Sequence, residues 1–371
     1  VSTPSADVPT LVMLECLETS QQMHRPLIVD ERSGRLAATL RSRGAKPEIW
    51  LRQAAPGATT ASPWPEGDGY DAALIRLPKA KDALDLALHA VAGKVLPSGV
   101  IALFGANDEG IRSASHRLEA VADDVATAAT KHHSRVLTGR RKATIDGLKA
   151  SLSDWRRVGE ITIAGVPRPW VSYPGTFAKG GLDEGTAFLI EHLPTPRAES
   201  RILDFAAGTG VLSAALSSLA NGLDIDMIEA DALALSAAAD NAAGARSLLG
   251  ADLSTAGDAR YDLIVSNPPI HDGIAESRHV LERLIAEAPR HLRPGGRLVL
   301  VVQRRVAVMP LLSAAFADAR LVAENGRFTV AMGEGTPRDR SPPPGRGASP
   351  RRAAELRDPT RRQGPKNDSG R

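Results

Sequence analysis

The chain has 371 residues, 43% of them hydrophobic and 24% charged, a composition that suits a soluble globular protein of about two domains. Its single cysteine, Cys16, excludes a disulfide framework and a cysteine zinc cluster, and a net charge of only +3 means the whole chain is not an obvious polyanion binder. No apolar run approaches the ~18 residues of a membrane span, and the first nine residues lack the basic-then-apolar order of a secretory signal, so a cytoplasmic protein with no membrane partner is expected.

In chain order, the first predicted strand is Leu27-Ile28-Val29-Asp30, which runs into Glu31-Arg32-Ser33-Gly34. A second runs from Tyr70-Asp71 through Leu74-Ile75 to Leu77-Pro78-Lys79. A helical stretch, the turn Leu96-Pro97-Ser98-Gly99 and an apolar strand over 100–104 follow. The same succession recurs later: Tyr261–Ser266, then Asn267-Pro268-Pro269-Ile270, a helical stretch, Arg293-Pro294-Gly295-Gly296 and a strand over 297–302. Two tandem copies of one α/β unit explain the repeat. The expected division is therefore 1–150, 151–333 and a tail over 334–371. Residues 131–157, rich in Lys and Arg, read as a connector that is either solvated or faces nucleic acid.

The second copy carries the chemistry. Its strands and helices alternate, which implies an open, mostly parallel sheet with helices on both faces. The strand Arg201–Phe205 leads into Ala206-Ala207-Gly208-Thr209-Gly210, where small residues let a ligand approach the backbone. Glu229 ends the next predicted strand, about one βαβ step later, where a carboxylate can hold ribose hydroxyls. Asp204, Ala206, Gly208, Gly210 and Glu229 are thus candidate cofactor contacts. Asp252, after a presumed third strand, can accept from an adenine amino group or cap a turn. A dinucleotide site is disfavoured, because Ser213 stands where that pattern needs its third Gly or Ala. The first copy has no such loop, so it is read as a degenerate packing or RNA-docking domain.

After the fourth strand, Pro268 and Pro269 end the ladder and stiffen the chain at the carboxyl edge of the sheet. The Asn267 side chain and the Pro268 carbonyl can then offer two acceptors to one planar amino group. His271 and Asp272 read as loop-shaping or substrate-contacting residues, and the histidines have no metal-ligand spacing, so no metal is expected. The tail from Gly333 holds ten Lys+Arg against five Asp+Glu, a net of +5, which leaves about −2 for the rest. It has almost no core-forming residues and is expected to be disordered. It serves either as a phosphate-attracting arm or as a solubilising extension.

The small-residue loop, the acidic second strand and the Asn-Pro-Pro together resemble class I S-adenosylmethionine-dependent methyltransferases that modify amino nitrogens. Longer stretches resemble the bacterial 16S ribosomal RNA guanine-N2 methyltransferase family. These are Arg260 to Gly273, Pro174-Gly175-Thr176-Phe177-Ala178-Lys179-Gly180-Gly181-Leu182-Asp183-Glu184-Gly185, Gly326 to Val330 and, in the first half, Phe104 to Ser113. The chain departs from the family at Ala206-Ala207-Gly208, where Gly-Cys-Gly is usual, and at Ile270, where an aromatic normally stacks on the base.

The resemblance implies two tandem Rossmann-like domains with seven-stranded, mostly parallel sheets, the first degenerate. It implies S-adenosylmethionine as cofactor and ribosomal RNA or the small subunit as partner, with a monomer expected. It places catalysis at Asn267, Pro268, Pro269 and Ile270, with Asn267 also near the cofactor. Phe177 would cover cofactor or base, and Lys179 and His271 would touch substrate. Alternatives are large-subunit rRNA guanine N2, adenine N6 or a protein glutamine as acceptor, or a non-catalytic RNA-binding or assembly protein.

Overall fold

The computed structural model describes residues 7–18, 20, 22–269 and 275–335. Ile270, His271 and the tail beyond residue 335 lie outside the described residues.

Helix α1 (Val8–Glu18) precedes a six-stranded sheet. Its elements are β1 (Pro26–Val29), α2 (Arg35–Ser42), β2 (Glu48–Trp50), β3 (Tyr70–Arg76), α3 (Lys81–Ala92), β4 (Val95–Ala106), α4 (Ser115–Leu118), β5 (Ala122–Lys131) and β6 (Ser134–Arg141). The strand order is β2-β1-β3-β4-β6-β5. The first four strands are parallel, and β6 runs antiparallel to both β4 and β5. All four residues of β1 are buried, as a strand covered on both faces requires.

A hairpin of β7 (Arg157–Ile163) and β8 (Val166–Ser172) follows, then α5 (Glu184–Glu191). The second sheet contains β9 (Arg201–Phe205), α6 (Val211–Leu216), β10 (Asp224–Glu229), α7 (Ala232–Asn241), β11 (Arg246–Leu249), β12 (Tyr261–Ser266), α8 (Ala275–Glu287), β13 (Leu292–Gln303), α9 (Val308–Ala315), β14 (Asp318–Glu324) and β15 (Phe328–Glu334). Its order is β11-β10-β9-β12-β13-β15-β14, parallel from β11 to β13 and antiparallel beyond.

Laid side by side, the two orders match strand for strand except that β11 has no counterpart among the described residues of the first half. The first sheet therefore has six strands there, not the expected seven. The copies share even their irregularities. Tyr70 pairs with Val95 before the register slips to Ala72–Val100, and Tyr261 pairs with Leu292 before the slip to Leu263–Arg297. The Tyr70 hydroxyl donates to Glu48 Oε2 at 2.6 Å under the Arg25 guanidinium, and the Tyr261 hydroxyl donates to Asp226 Oδ2 at 2.7 Å under Arg201.

The expected connector over 131–157 is corrected by the hairpin β5–β6, which places residues 131–141 in the first sheet. Val136 and Leu137 are buried there, and the basic residues are used locally. Lys131 pairs with Glu15, Arg141 donates to the Ala92 carbonyl at 3.0 Å, and Lys142 to that of Glu119 at 2.6 Å. The halves meet through equivalent segments after β2 and β10, where Gln53 and Asp231 form an antiparallel bridge. Ala54 N–H donates to the Ala230 carbonyl at 2.8 Å, and Ala232 N–H to that of Arg52 at 2.9 Å. Leu233 and Ala237 of α7 pack into the first half's core with Trp155 and Tyr173.

Candidate active site

Register brings the site together. Phe205 pairs with Ile228 on one side and Ser266 on the other, so Ala206, Glu229 and Asn267 are the next residues on three adjacent parallel strands. All three lie at the carboxyl edge of the sheet, where open α/β sheets bind ligands. The Ser266 hydroxyl ties two of these strand ends by donating to the Phe205 carbonyl at 2.8 Å.

The loop after β9 turns through three left-handed residues, Ala206 at φ 59°, Gly208 at 56° and Gly210 at 88°. A Cβ on Gly208 would meet nothing within 4 Å, which leaves its main chain open to a ligand. A Cβ on Gly210 would come within 3.2 Å of Ala238, so glycine there lets α7 approach. The loop is braced from behind: Trp170 Nε1 donates to Thr209 Oγ1 at 3.2 Å, and Asn241 Nδ2 to the Thr209 carbonyl at 2.9 Å. In front, Glu229 accepts from Gly208 N–H and from Asp231 N–H, each at 2.8 Å. Burial raises the Glu229 pKa above its ordinary value.

Asp204 is wholly buried. Its Oδ2 accepts from the Ser213 N–H at 3.0 Å and the Ser213 hydroxyl at 2.8 Å, while Oδ1 has no partner in the protein. Burial outweighs those two hydrogen bonds and pushes its pKa up to about 7. Ser213, which counted against a dinucleotide site, is thus the residue that holds this carboxylate. Asp252 caps the turn Leu253–Ala256 through Ser254 and pairs with Arg283 Nη2 at 2.9 Å, so the turn-capping role foreseen for it is present and its adenine contact stays an expectation.

Asn267 is fixed by contacts from before the first strand of its sheet. Its Nδ2 donates to Asp183 Oδ2 at 3.0 Å and to Thr186 Oγ1 at 2.9 Å. An ionised carboxylate only accepts, so the amide must turn its NH2 toward Asp183 and present Oδ1 elsewhere. Pro268 is buried and Pro269 exposed. Phe177 opens a 3₁₀ turn over Phe177–Gly180 with 54% of its surface exposed. The side chain of Lys179, together with Ile270 and His271, lies outside the described residues.

Asp183 and Thr186 were missed as site residues by sequence reasoning. The available signal was the spacing of an N-cap: Asp183 caps α5 by accepting from Thr186 N–H at 3.0 Å. The first copy shows what loss of the site looks like. Aligned through β1 and β9, Glu31 and Arg32 stand at Ala207 and Gly208, and Leu51 stands at Glu229. Arg76 takes the place of Asn267 and is paired with Asp7 at 2.7 Å and Glu109 at 2.6 Å. A partly buried guanidinium committed to two carboxylates thus stands where the second copy has the Asn267 amide. Among the described residues no group of three or more His, Cys, Asp or Glu could hold a metal ion, and no helix is long and apolar enough to cross a membrane.

This strand order, with a small-residue turn after the first strand, a carboxylate after the second and Asn-Pro-Pro after the fourth, defines a class I S-adenosylmethionine-dependent methyltransferase. Residues 169–332 match the methyltransferase small domain family, and residues 25–157 match the N-terminal domain that accompanies it. The chain is 32% identical over 290 residues to the ribosomal RNA small subunit methyltransferase C of Alcanivorax borkumensis, covering 76% of this chain and 84% of that one. It is 33% identical over 272 residues to the protein of the same name from Ectopseudomonas mendocina, covering 72% and 80%. The T. thermophilus 16S rRNA N2 methyltransferase, solved with AdoMet and guanosine, shares the fold with a TM-score of 0.78 at 23% identity over 90% of this chain and 94% of that one. The chain belongs to the ribosomal RNA small subunit methyltransferase C family.

Proposed function

We propose that this enzyme transfers a methyl group from S-adenosylmethionine to the exocyclic N2 of a guanine in 16S ribosomal RNA. Family membership supports the reaction class and the substrate. The observation that carries the choice of an amino acceptor is the clamping of Asn267 Nδ2 by Asp183 and Thr186, which leaves Oδ1 to accept.

The residues present fit the cofactor. The buried Asp204 Oδ1 lacks a partner, the Gly208 main chain borders open space, and Glu229 offers acceptors at the next strand end. In this reading the loop Ala206–Gly210 and Glu229 hold the methionine and ribose parts. Asp204 braces the loop, Asp252 borders the adenine, and Phe177 covers the site. When bound, S-adenosylmethionine supplies an electrophilic methyl group on a sulfonium centre.

The chain's own work is positioning. A guanine N2 is a poor nucleophile, because its lone pair is delocalised into the ring. Acceptors at Asn267 Oδ1 and the Pro268 carbonyl hold both N–H bonds, favour a pyramidal nitrogen and stabilise the positive charge that grows on it. Such preorganised acceptors lower a barrier without reorganising at the moment of reaction. The methylated amine is acidic and loses its proton without a dedicated base. The target base must be unpaired or flipped out to reach the site. In this proposal residues 151–333 carry catalysis in a monomer. Residues 1–150 support folding and dock RNA, and Ile270, Lys179 and His271 contact substrate.

Mass spectrometry of nucleosides from 16S rRNA, before and after incubation with the protein and cofactor, tests the reading. Gain of one N2-methylguanosine per 16S molecule is expected. Methyl incorporation into adenine or into ribosomal protein instead would replace guanine as the acceptor.

A further inference from the structure

Arg52 belongs to the degenerate first copy, yet its side chain is spent on the second. Its Nε lies 3.1 Å from both carboxylate oxygens of Asp231, and Nη2 lies 2.6 Å from Asp231 Oδ2. The same Nη2 donates to the Gly175 carbonyl at 2.8 Å. Both charged groups are largely buried, with side-chain exposures of 14% and 11%. The backbone is held as well. Arg52 N–H donates to Asp30 Oδ1 at 3.0 Å, and the Arg52 carbonyl accepts from Ala232.

The two groups that Arg52 grips each lead into the proposed cofactor site. Asp231 is two residues from Glu229, donates its N–H to Glu229 Oε1 and caps α7 through Leu233 and Ala234. Gly175 begins the segment that carries Phe177 and, further on, Asp183. The approach is close: a Cβ on Gly175 would sit 2.9 Å from Arg52 Nη1 and 2.6 Å from the Ala83 Cβ. A forked guanidinium can hold a carboxylate and a carbonyl together in fixed geometry, which a lysine cannot.

We infer that Arg52 is a positioning residue through which the first copy sets the geometry of the second copy's cofactor site, fixing the Glu229–Asp231 turn relative to the Gly175–Asp183 segment. This rests on the reading of Glu229 as a cofactor contact. The degenerate copy on this view has a duty beyond solubility and packing: it supplies one fork that two cofactor-site segments share.

The test uses the full chain with Arg52→Lys and Arg52→Met, assayed well below their unfolding temperatures. Glu229→Gln is measured alongside by calorimetric titration with S-adenosylmethionine. Loss of one charge-assisted fork predicts about a tenfold rise in KM and Kd for S-adenosylmethionine in both Arg52 variants. kcat at saturating cofactor stays within about threefold, because the Asn267 amide keeps its own hydrogen bonds to Asp183 and Thr186 in both variants. If both variants only melt earlier and keep the wild-type Kd, Arg52 is a stability contact and the inference fails. A fall in kcat with unchanged cofactor affinity also overturns it. Should Glu229→Gln bind S-adenosylmethionine as the wild type does, the cofactor-site reading itself is wrong and the inference goes with it.

Discussion

The Asn267 amide nitrogen sits 3.0 Å from Asp183 Oδ2, a hydrogen bond between residues 84 positions apart. It joins the carboxyl edge of the sheet to the N-cap of α5. This one bond settles which face of the Asn267 amide is free. Without it, the amide could rotate and present its NH2 to an incoming NH2, where two donors would face each other.

Asp183→Asn is therefore expected to slow methyl transfer while sparing the fold. Asparagine caps a helix as well as aspartate does, so α5 keeps its Thr186 N–H partner. One oxygen, Oδ2, accepts from both Thr186 N–H and Asn267 Nδ2, so the variant's amide oxygen keeps both bonds but loses the charge assistance, about 1 kcal/mol, which corresponds to a rate loss of roughly fivefold. Single-turnover transfer at saturating cofactor reads the loss directly. Cofactor affinity and melting temperature should stay close to the wild type.

Asp204 predicts a pH dependence of stability. Its folded pKa, about 7, lies above the ordinary 3.8 because burial disfavours the charge. In this case the folded state holds the proton more tightly than the unfolded chain. The stabilisation is complete below pH ~4 and is lost as pH rises through about 7, at about 1.4 kcal/mol for each pH unit in between. Asp204→Asn removes that slope. Urea unfolding at pH 5, 6, 7 and 8 should show the wild type losing stability relative to the variant by a few kcal/mol across the series. Parallel curves would mean that Asp204 is ionised throughout and paired in a way its surroundings do not reveal.

Much of the fold was legible because the repeat is written in residues of strong local character. Tyr-Asp before an apolar run, and Pro with Gly ahead of the next, recur in both halves and mark β3 with β4 and β12 with β13, although the Pro and Gly residues expected to form turns lie inside β4 and β13 at their register slips. The strand ends Glu229 and Asn267 were legible for the same reason, since strand periodicity and proline punctuation locate them. That the described residues of the first half hold no counterpart of β11 was not legible, because an edge strand of four residues leaves only a weak pattern. The hairpin β5–β6 was misjudged for another reason. Its Lys and Arg residues suggested a solvated run, yet alternate positions such as Val136 face the core while the charges find local partners.

Contacts between distant segments escaped altogether. Asp183 with Asn267 and Arg52 with Asp231, 179 residues apart, have no periodicity to betray them. Ser213 breaks the dinucleotide glycine pattern, and the fold adds what the pattern does not carry: its N–H and hydroxyl hold the buried Asp204 carboxylate.

The most direct test of the central claim is transfer of a labelled methyl group by Asn267→Ala on 16S rRNA, paired with calorimetric titration of S-adenosylmethionine. Removing the acceptor at Oδ1 should cut transfer by roughly 100-fold or more, with cofactor affinity within about threefold, since the loop at Gly208 and Glu229 remains intact. Transfer at the wild-type rate by that variant would contradict the account, because the amino group would then be held by something other than Asn267.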